Sequence, residues 1–451
     1  MPRQINVSHE ESAKLSAVNL ISQGWGMVNK SNVLVFGGLG DPQSAVVGLY
    51  RDLLSKLQDN YQLIAVDPSL AQLDISHHAK QLGIEYDGYF ANLTDFGCSP
   101  LASTPIQAVL ILTPVTTHLA IVRQVAKLAL ADDALMVIEK PSFALDEVSQ
   151  GFDQDIEQLK RQGLRFYFID TALVSPALEY VFDHQLISAA VPPHKIIAHA
   201  TDNPLAKYAY FPSFSFEQKL TAINQRGLVN LSKNGGAGIG LDMGIHAVAG
   251  LMRLLDETDF GYRNIQIDQL RLEALDHPDL ERYPGAETHL FVHGKLECQH
   301  QAIPFNLIGG KGGDIWDRRL ELHYSDKIIS IGFGTLKHYP YVHIQQGNEA
   351  TWRTFPLTTA GYPQHFADIL CLLELGGEDT LTISCQQSER LMKNAMKLFE
   401  ATYYHAGKAH DVREQAIYKV NEHLPRFLTK DEIHHRSRLD SFMKKHCEIG
   451  Q

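Results

Sequence analysis

The 451-residue sequence has few cysteines and no long apolar run. Its five cysteines, at positions 98, 298, 371, 385 and 447, are odd in number and form no CxxC pair, which argues against a disulfide framework and against a zinc site. No apolar run is long enough to span a bilayer, and the polar N-terminus MPRQINVSHEESAK lacks the apolar core of a secretory signal. We therefore expect a cytoplasmic protein without a membrane role, whose cysteines are reduced and mostly structural.

The sequence also lacks a basic stripe. Its formal net charge of -12 repels a phosphate backbone at long range, so nucleic acid is not an expected partner. The hydrophobic fraction of 44% and the charged fraction of 20% are ordinary for globular proteins. At this length, a chain of such composition predicts two globular domains.

The pattern changes three times along the chain. Residues 1–30 look like an extension with one weak helix at 13–21. Residues 31–165 alternate apolar strands with helices, which predicts a doubly wound parallel α/β sheet. The predicted strands are 33–36, 63–66, 108–112, 135–138 and 165–169, and the predicted helices are 44–57 and 117–130.

Residues 166–404 show the period-two alternation of a mostly antiparallel sheet, as in 288–297, 319–324 and 328–333. Helical periodicity at 240–255 and 387–404 predicts helices packed on one face of that sheet, hence an α+β domain. Residues 405–451 are a charged extension, interpreted as a helical arm or an oligomer contact. Within it, we interpret His434 and His435 as part of a solvated face.

A glycine-rich turn follows the first predicted strand. Glycines at Gly37, Gly38 and Gly40 let backbone amides approach a pyrophosphate at the start of the next helix. The dinucleotide-binding fingerprint is incomplete because Gln43 stands where the third glycine is expected, so a plain tight turn is the alternative. Asp67, at the end of the second strand, suits the ribose hydroxyls of NAD and would repel the 2′-phosphate of NADP, although Asp-Pro is also a common turn.

Two further strand ends carry the segments Thr113-Pro114-x-x-x-His118 and, after a helix, Glu139-Lys140 followed by proline. This order resembles the fourth and fifth strand ends of the Gfo/Idh/MocA oxidoreductases. The resemblance implies that these residues contact the cofactor and that Lys140 lies beside the nicotinamide and the substrate. A lysine at the carboxyl end of a parallel strand does lie where open α/β sheets bind ligands, although an isolated lysine before a loop proline is as often a surface residue.

The glycine-rich stretch 235–240 precedes Asp242 and His246, which lie four residues apart on one face of a predicted helix. In an unknown protein such a pair is more often a solvated helix pair. It is, however, similar to the Asp-x-x-x-His helix of the same family, whose two polar residues face the substrate. The resemblance covers about residues 32–407, including a looser match of 362–366 to the C-terminal helices.

The resemblance implies a Rossmann-type domain, a nicotinamide cofactor and hydride transfer to or from a sugar or polyol hydroxyl. In that reading His246 is the acid/base, Asp242 orients the substrate or the imidazole, and Lys140 stabilises the developing alkoxide. The family also implies a homodimer or homotetramer formed through the open sheet. The sequence does not identify the substrate. Candidates to bind a phosphate or carboxylate of the substrate are Lys207, Arg226, Arg318 and Arg319.

Three alternatives remain at this stage. A zinc site at His289, His293, Cys298 and His300 is disfavoured because strand alternation separates the two pairs, so no metal is expected. The glycine turn and the Glu-Lys-Pro segment also resemble glucose-6-phosphate dehydrogenase, whose His-Tyr segment is missing here. The third alternative is a regulator that binds the cofactor and catalyses no reaction.

Overall fold

The structure is a computed structural model that describes residues 3–4, 30–39, 46–72, 83–128, 130–188, 190–202, 238–275, 287, 289–299, 301–311, 317–335, 338–374, 380–405, 413–415 and 428–449. Gly40, Gln43, Lys207, Arg226 and His300 lie outside these ranges, as does the predicted helix at 13–21.

The strands, in chain order, are β1 (Arg3–Gln4), β2 (Asn32–Phe36), β3 (Gln62–Val66), β4 (Gly88–Phe90), β5 (Ile106–Ile111), β6 (Leu130–Ile138), β7 (Arg165–Phe168), β8 (Lys195–Asp202), β9 (Asn264–Leu275), β10 (His289–Glu297), β11 (Ala302–Lys311), β12 (Asp317–His323), β13 (Ile328–Gly332), β14 (Tyr341–Gln346), β15 (Glu349–Thr354) and β16 (Arg413–Gln415). The α-helices are α1 (Arg51–Asn60), α2 (Leu93–Gly97), α3 (His118–Val125), α4 (Leu145–Ser149), α5 (Phe152–Lys160), α6 (Pro176–Asp183), α7 (Ile239–Glu257), α8 (Tyr362–Glu374), α9 (Cys385–His405) and α10 (Lys430–His446).

Strands β2 to β7 form a parallel sheet in the order β4-β3-β2-β5-β6-β7. Counted from β2, this is the order 3-2-1-4-5-6 of a doubly wound dinucleotide-binding sheet. The central strands are apolar and fully buried because helices cover both faces. The predicted Rossmann-type α/β architecture is confirmed.

Two helices in this half differ from their predictions. In place of the predicted helix at 44–57, the structure has a 3-10 helix at Val46–Tyr50 followed by α1, which ends at Asn60. Helix α3 ends at Val125 rather than at residue 130, and Leu130 begins β6 and pairs with Ile106. The strand is longer than predicted because it contains an irregularity, with Asp133 in the left-handed region at φ 61°. An apolar residue at position 130 fits both a helix face and a strand, so the sequence pattern did not separate the two.

The second sheet has ten strands in the order β1-β15-β14-β13-β12-β8-β11-β10-β9-β16. Most neighbours are antiparallel, and the exceptions are the pairs β8/β11, β1/β15 and β9/β16. Helix α7 packs on β8, β11 and β12, and α9 packs on α7. The predicted α+β domain is confirmed, with α7 and α9 close to the predicted helices at 240–255 and 387–404.

Helix α7 lies unusually close to the sheet, and glycines make this possible. A Cβ atom on Gly309 of β11 would lie 3.1 Å from the Cα atom of Gly244 in α7 and 3.2 Å from the carbonyl oxygen of Gly240. The N-terminus of α7 is held by the buried Glu287 carboxylate, which accepts hydrogen bonds from the Gly238 N–H at 2.8 and 2.9 Å and from the hydroxyl of Tyr403. The position of α7 is therefore fixed at the helix start and along one face.

Helix α10 lies on the outer face of the ten-stranded sheet, against β8, β12, β13 and β14. This helix begins with a capping box at Thr429 and buries Leu439 and Met443 against the sheet. The prediction that His434 and His435 form a solvated face is wrong for His435, which is 1% exposed. The mostly charged sequence concealed this packing because the residues of α10 that face the sheet include the polar His435 and Arg436 as well as Leu439 and Met443. No helix within the described ranges is long and apolar enough to cross a membrane.

Candidate functional site

The carboxyl ends of the parallel strands bring the predicted residues to one edge of the sheet. Gly37 follows β2, Asp67 follows β3, Thr113 follows β5 and Lys140 follows β6. A fifth residue, Asp170, follows β7 at the same edge. Ligands bind outside the carboxyl ends of strands in open α/β sheets, so this edge is the candidate site.

The glycine turn after β2 is tight and packed against the neighbouring strand end. Gly37 has φ +75°, and a Cβ atom there would lie 2.9 Å from the carbonyl oxygen of Leu112. A Cβ atom on Gly38 would lie 2.8 Å from the hydroxyl of Tyr86, which donates a hydrogen bond to the Gly38 carbonyl at 3.0 Å. The turn thus has the conformation and small side chains that let a backbone approach a phosphate group, and these residues fit a dinucleotide.

Asp67 lies beside this turn and is 7% exposed. One carboxylate oxygen accepts a hydrogen bond from the Leu39 N–H at 3.2 Å, and the other accepts from the N–H and the hydroxyl of Ser69 at 2.9 and 2.6 Å. Asp67 therefore holds the glycine turn against the end of β3. The oxygen that accepts from Leu39 retains a lone pair for a further donor such as a ribose hydroxyl.

The segment after β5 divides into accessible and buried residues. Pro114 is exposed and Thr113 is partly exposed, with its hydroxyl 2.7 Å from the hydroxyl of Thr117. His118 is fully buried, with Nε2 2.8 Å from the Thr113 carbonyl and Nδ1 3.0 Å from the Ser142 carbonyl. Thr113 and Pro114 are thus accessible from outside the domain, whereas His118 links this loop to the segment that follows Lys140.

Glu139 is buried and both of its carboxylate oxygens are occupied. Tyr50 and Tyr362 each donate a hydroxyl hydrogen bond to it at 2.7 Å. Burial raises the pKa of Glu139 to about 7, although the two tyrosines and Lys140 act in the opposite direction. The backbone preceding Lys140 is consequently anchored from α8 and from the residue before α1.

Lys140 and Asp242 form an ion pair across the two domains. The ammonium Nζ lies 2.8 Å from the Asp242 carboxylate and 3.1 Å from its main-chain carbonyl. The side chains are 15% and 23% exposed, so a ligand can still reach both groups. The ammonium has three N–H donors, so it can donate to a ligand as well as to Asp242.

His246 lies one helical turn after Asp242 and contacts Asp170 instead of Lys140. Its Nδ1 atom is 3.1 Å from the Asp170 carboxylate, and both groups are buried. Burial, followed by the charge of Arg318, lowers the pKa of His246 to about 4, despite the opposing effect of Asp170. A carboxylate only accepts, so the proton of the neutral ring resides on Nδ1 and leaves Nε2 as the basic nitrogen.

Asp170 is the member of the site that the sequence reading missed. Burial raises its pKa, but hydrogen bonds from His246 and the Ala172 N–H and the charge of Lys140 lower it below its usual range. Its main-chain carbonyl lies 2.8 Å from Nε2 of His365, which α8 supplies. The rule used for Asp67, a carboxylate at the end of a parallel strand, applied equally to Asp170 and could have identified it.

The residues considered for zinc belong to the ten-stranded sheet. His289 is buried, and Nδ1 of His293 lies 2.7 Å from the Asn306 side-chain oxygen. Among the residues that the structure describes, no group of three or more histidine, cysteine or acidic side chains is arranged to hold a metal ion.

Several solved structures share this two-domain architecture. An aldose-aldose oxidoreductase from Caulobacter crescentus has a TM-score of 0.58 and 13% identity, with 84% of this chain and 97% of that chain covered. A 3-ketoreductase from Actinomadura kijaniata in complex with NADP and TDP-benzene has a TM-score of 0.55 and 14% identity, with 86% and 99% covered. The chain has the fold of these oxidoreductases.

A third example is scyllo-inositol dehydrogenase from Lactobacillus casei with bound NAD(H) and scyllo-inositol. Its TM-score is 0.52 and its identity 16%, with 83% of this chain and 98% of that chain covered. No protein-family model and no curated protein matches the sequence. The similarity is therefore one of structure, and it extends over nearly the whole length of each of these neighbours.

Proposed function

We propose that the chain is a Gfo/Idh/MocA-type oxidoreductase that transfers a hydride between a nicotinamide dinucleotide and a hydroxyl-bearing carbon of a sugar, sugar derivative or polyol. The observation that carries the proposal is the cluster of Lys140, Asp242, His246 and Asp170 at the carboxyl edge of the parallel sheet. The same edge carries the glycine turn, and the structural neighbours include enzymes that act on sugars and inositol.

The proton of the alcohol needs an acceptor, and His246 supplies one. Its ring is neutral near pH 7, and the hydrogen bond to Asp170 directs the proton to Nδ1, so Nε2 can accept the hydroxyl proton. Asp170 remains ionised and stabilises the imidazolium that forms, as a carboxylate does in other histidine-base sites. Asp170 thus orients the imidazole of His246 and stabilises its protonated form, and has no direct role on the substrate.

Lys140 and Asp242 act on the substrate oxygen and its neighbours. The Lys140 ammonium donates a hydrogen bond to the reacting hydroxyl, and this bond strengthens as alkoxide character develops. The Asp242 carboxylate holds the ammonium in place and can accept a bond from a neighbouring hydroxyl of the substrate.

The cofactor-binding residues are those of the strand ends. Gly37, Gly38 and Asp67 would hold the dinucleotide phosphates and ribose, and Thr113 and Pro114 would contact its nicotinamide half. When bound, the nicotinamide ring supplies or accepts the hydride. We propose NAD rather than NADP, because a 2′-phosphate would meet the Asp67 carboxylate.

The family resemblance also suggests a homodimer or homotetramer. Residues on the outer face of the ten-stranded sheet, including Phe291, Ile308 and Tyr341, are buried within the single chain. We therefore propose that any such assembly uses another surface, such as a sheet edge. The domain limits at residues 30, 165 and 404 are retained as proposals.

The test is cofactor titration followed by turnover with a panel of sugars and polyols. We expect NAD to bind, and Lys140→Met to bind NAD like the wild type while losing most turnover, with the exposed Lys127→Met as the matched control. A protein that binds NAD but turns over no sugar or polyol would favour the regulator; one that binds neither NAD nor NADP would contradict both.

A further inference from the structure

Arg318 lies on the side of the ten-stranded sheet that faces α7. Its neighbours Asp317 and Arg319 point to the outer face, where Arg319 meets Glu321. Side chains alternate along a strand, so Arg318 points the opposite way, with the buried core residue Leu320. This is the face on which α7 carries Asp242 and His246.

The strand register places Arg318 level with the start of α7. Arg318 pairs with Ala200 of β8, and Ala200 pairs with Gly309 of β11. Gly309 is the residue that contacts Gly244 of α7. Two interstrand spacings correspond to about 10 Å, so the long Arg318 side chain starts about two strands away from the first turns of α7.

The guanidinium of Arg318 has no carboxylate partner within the described part of the chain. Its Nε atom is buried there without a hydrogen-bond partner. The hydrogen bonds of Arg318 to Asp317 and Phe333 are made by its main chain, which donates to the Asp317 carboxylate and accepts from the Phe333 N–H. A buried guanidinium donor without a partner is costly, so this side chain is suited to an anion that arrives from outside the chain.

The electrostatic environment agrees with this position. After burial, the charge of Arg318 is the largest influence that lowers the pKa of His246. Burial and Glu139 raise the pKa of Tyr362, and the charge of Arg318 opposes that rise. Arg318 is thus close enough to act on the proposed base and on the tyrosine that anchors Glu139.

We propose that Arg318 binds an anionic group of the substrate, so that the substrate class is an acidic sugar derivative that carries a phosphate or a carboxylate. This inference rests on the proposed function and specifies its substrate. A planar guanidinium can donate two parallel hydrogen bonds to either oxyanion, which fixes the orientation of the ligand as well as its charge. In this arrangement the reacting hydroxyl meets Lys140 and His246, and the anionic group of the same substrate meets Arg318.

The experiment uses the full-length chain saturated with NAD, so that the dinucleotide site is filled before other anions are added. Thermal shift and calorimetry are recorded with inorganic phosphate, glucose, glucose 6-phosphate and glucuronate. The variants are Arg318→Gln, Arg318→Lys and the control Arg390→Gln, which removes a half-exposed arginine that pairs with Asp256. Glucose 6-phosphate and glucuronate separate a phosphate from a carboxylate preference.

We expect the acidic ligands to bind the wild type more tightly than glucose does. Arg318→Gln should weaken that binding by roughly 10- to 100-fold, the range for a hydrogen bond to a charged group. Arg318→Lys should retain part of the binding, and Arg390→Gln should behave like the wild type. NAD affinity should be unchanged in all variants.

Two results would overturn the inference. The first is that the wild type binds glucose as tightly as it binds glucose 6-phosphate and glucuronate, and that phosphate causes no thermal shift. The other is unchanged binding of acidic ligands by Arg318→Gln. If Arg318→Gln does not fold, an Arg318→Lys variant with the same ligand preference as the wild type supports a role for the charge, and one without any preference contradicts it. If the wild type does not bind NAD, that result would instead count against the proposed function.

Discussion

Arg318 and Arg319 are consecutive residues of β12, and their side chains lie on opposite faces of the sheet, in different surroundings. On the outer face, Arg319 is fully buried and bonded by Asp317 and Glu321. On the inner face, Arg318 has no such partners among the described residues, and its charge lowers the pKa of His246. A charge that is neutralised within the chain contributes to the fold, whereas a charge without a partner is available to a ligand.

The outer face carries a buried ionic network beside its apolar contacts with α10. Arg436 of α10 lies 3.3 Å from Glu321 and 2.8 Å from His199. Burial alone would raise the pKa of Glu321, but the two arginines, Arg319 and Arg436, hold it well below its usual range. Helix α10 is thereby attached to the sheet by charges that the chain itself neutralises.

The largest effect is expected on the inner face, at the proposed base. His246→Asn should lower kcat by roughly 10²- to 10⁴-fold with little change in NAD affinity, because the variant lacks the proton acceptor. The acid-side limb of the pH profile for oxidation should disappear with it. Steady-state kinetics across pH test this.

Lys140 provides the contrasting variant. Lys140→Ala should raise KM and lower kcat together, since its hydrogen bond exists in the ground state and strengthens at the alkoxide-like transition state. The roles of base and of hydrogen-bond donor would be reversed by the following result: His246→Asn keeps the acid-side limb of the pH profile and most of the rate, and Lys140→Ala loses both.

The second prediction concerns stability and the outer face. Arg319→Met should lower the free energy of unfolding by about 3–5 kcal/mol, because it leaves buried carboxylates without their partner. Arg318→Met, one residue away, should cost less than about 1 kcal/mol. Denaturant unfolding followed by circular dichroism compares them, and equal losses would mean that the two faces do not differ as described.

The third prediction is a pH dependence that arises on the outer face. Burial lowers the pKa of His435 to about 4; His323, Arg319 and His343 act in the same direction, and Glu321 opposes them. The unfolded chain, with an ordinary histidine pKa, binds more protons below about pH 6.5. The stability that His435 contributes above that pH is therefore lost as the pH falls towards 4.

In His435→Gln, unfolding free energy should decline less steeply over this interval, by up to about 1.4 kcal/mol per pH unit. Thermal unfolding at several pH values measures the slope. An identical slope in the wild type and His435→Gln would show that His435 is not a source of the acid sensitivity.

The smallest effect is expected at the cofactor turn. Asp67→Ala should narrow the preference for NAD over NADP by roughly three- to tenfold, the equivalent of about one hydrogen bond. Both affinities should also fall, because the carboxylate holds Leu39, so the ratio is the relevant quantity. Ser69→Ala, which keeps the carboxylate, is the control, and tighter binding of NADP than of NAD by the wild type would contradict the preference.

The sequence predicted those features that depend on local pattern. The strand ends at Gly37, Asp67 and Lys140 and the helix that carries Asp242 and His246 follow from periodicity, from glycines and from the family resemblance. These features depend on residues near one another in the chain, where hydrophobic period and turn chemistry are informative.

The features that it did not predict depend on distant contacts. No local signal indicated that Tyr50 and Tyr362 would bond Glu139, or that Arg436 would be buried against Glu321. A charged helix such as α10 looks solvated when each charge is considered alone, because burial becomes favourable only once the opposite charges on β12 are in place.

Helix α8 makes completion of the site depend on the order in which the chain is made. Its Tyr362 bonds Glu139 across 223 positions, and its His365 bonds Asp170 across 195. During synthesis the parallel sheet leaves the ribosome long before these partners. The strand ends that carry Lys140 and Asp170 are therefore stabilised only after a segment in the last quarter of the chain has been made. A nascent or truncated protein that ends before α8 would have the parallel sheet without the hydrogen bonds from Tyr362 and His365.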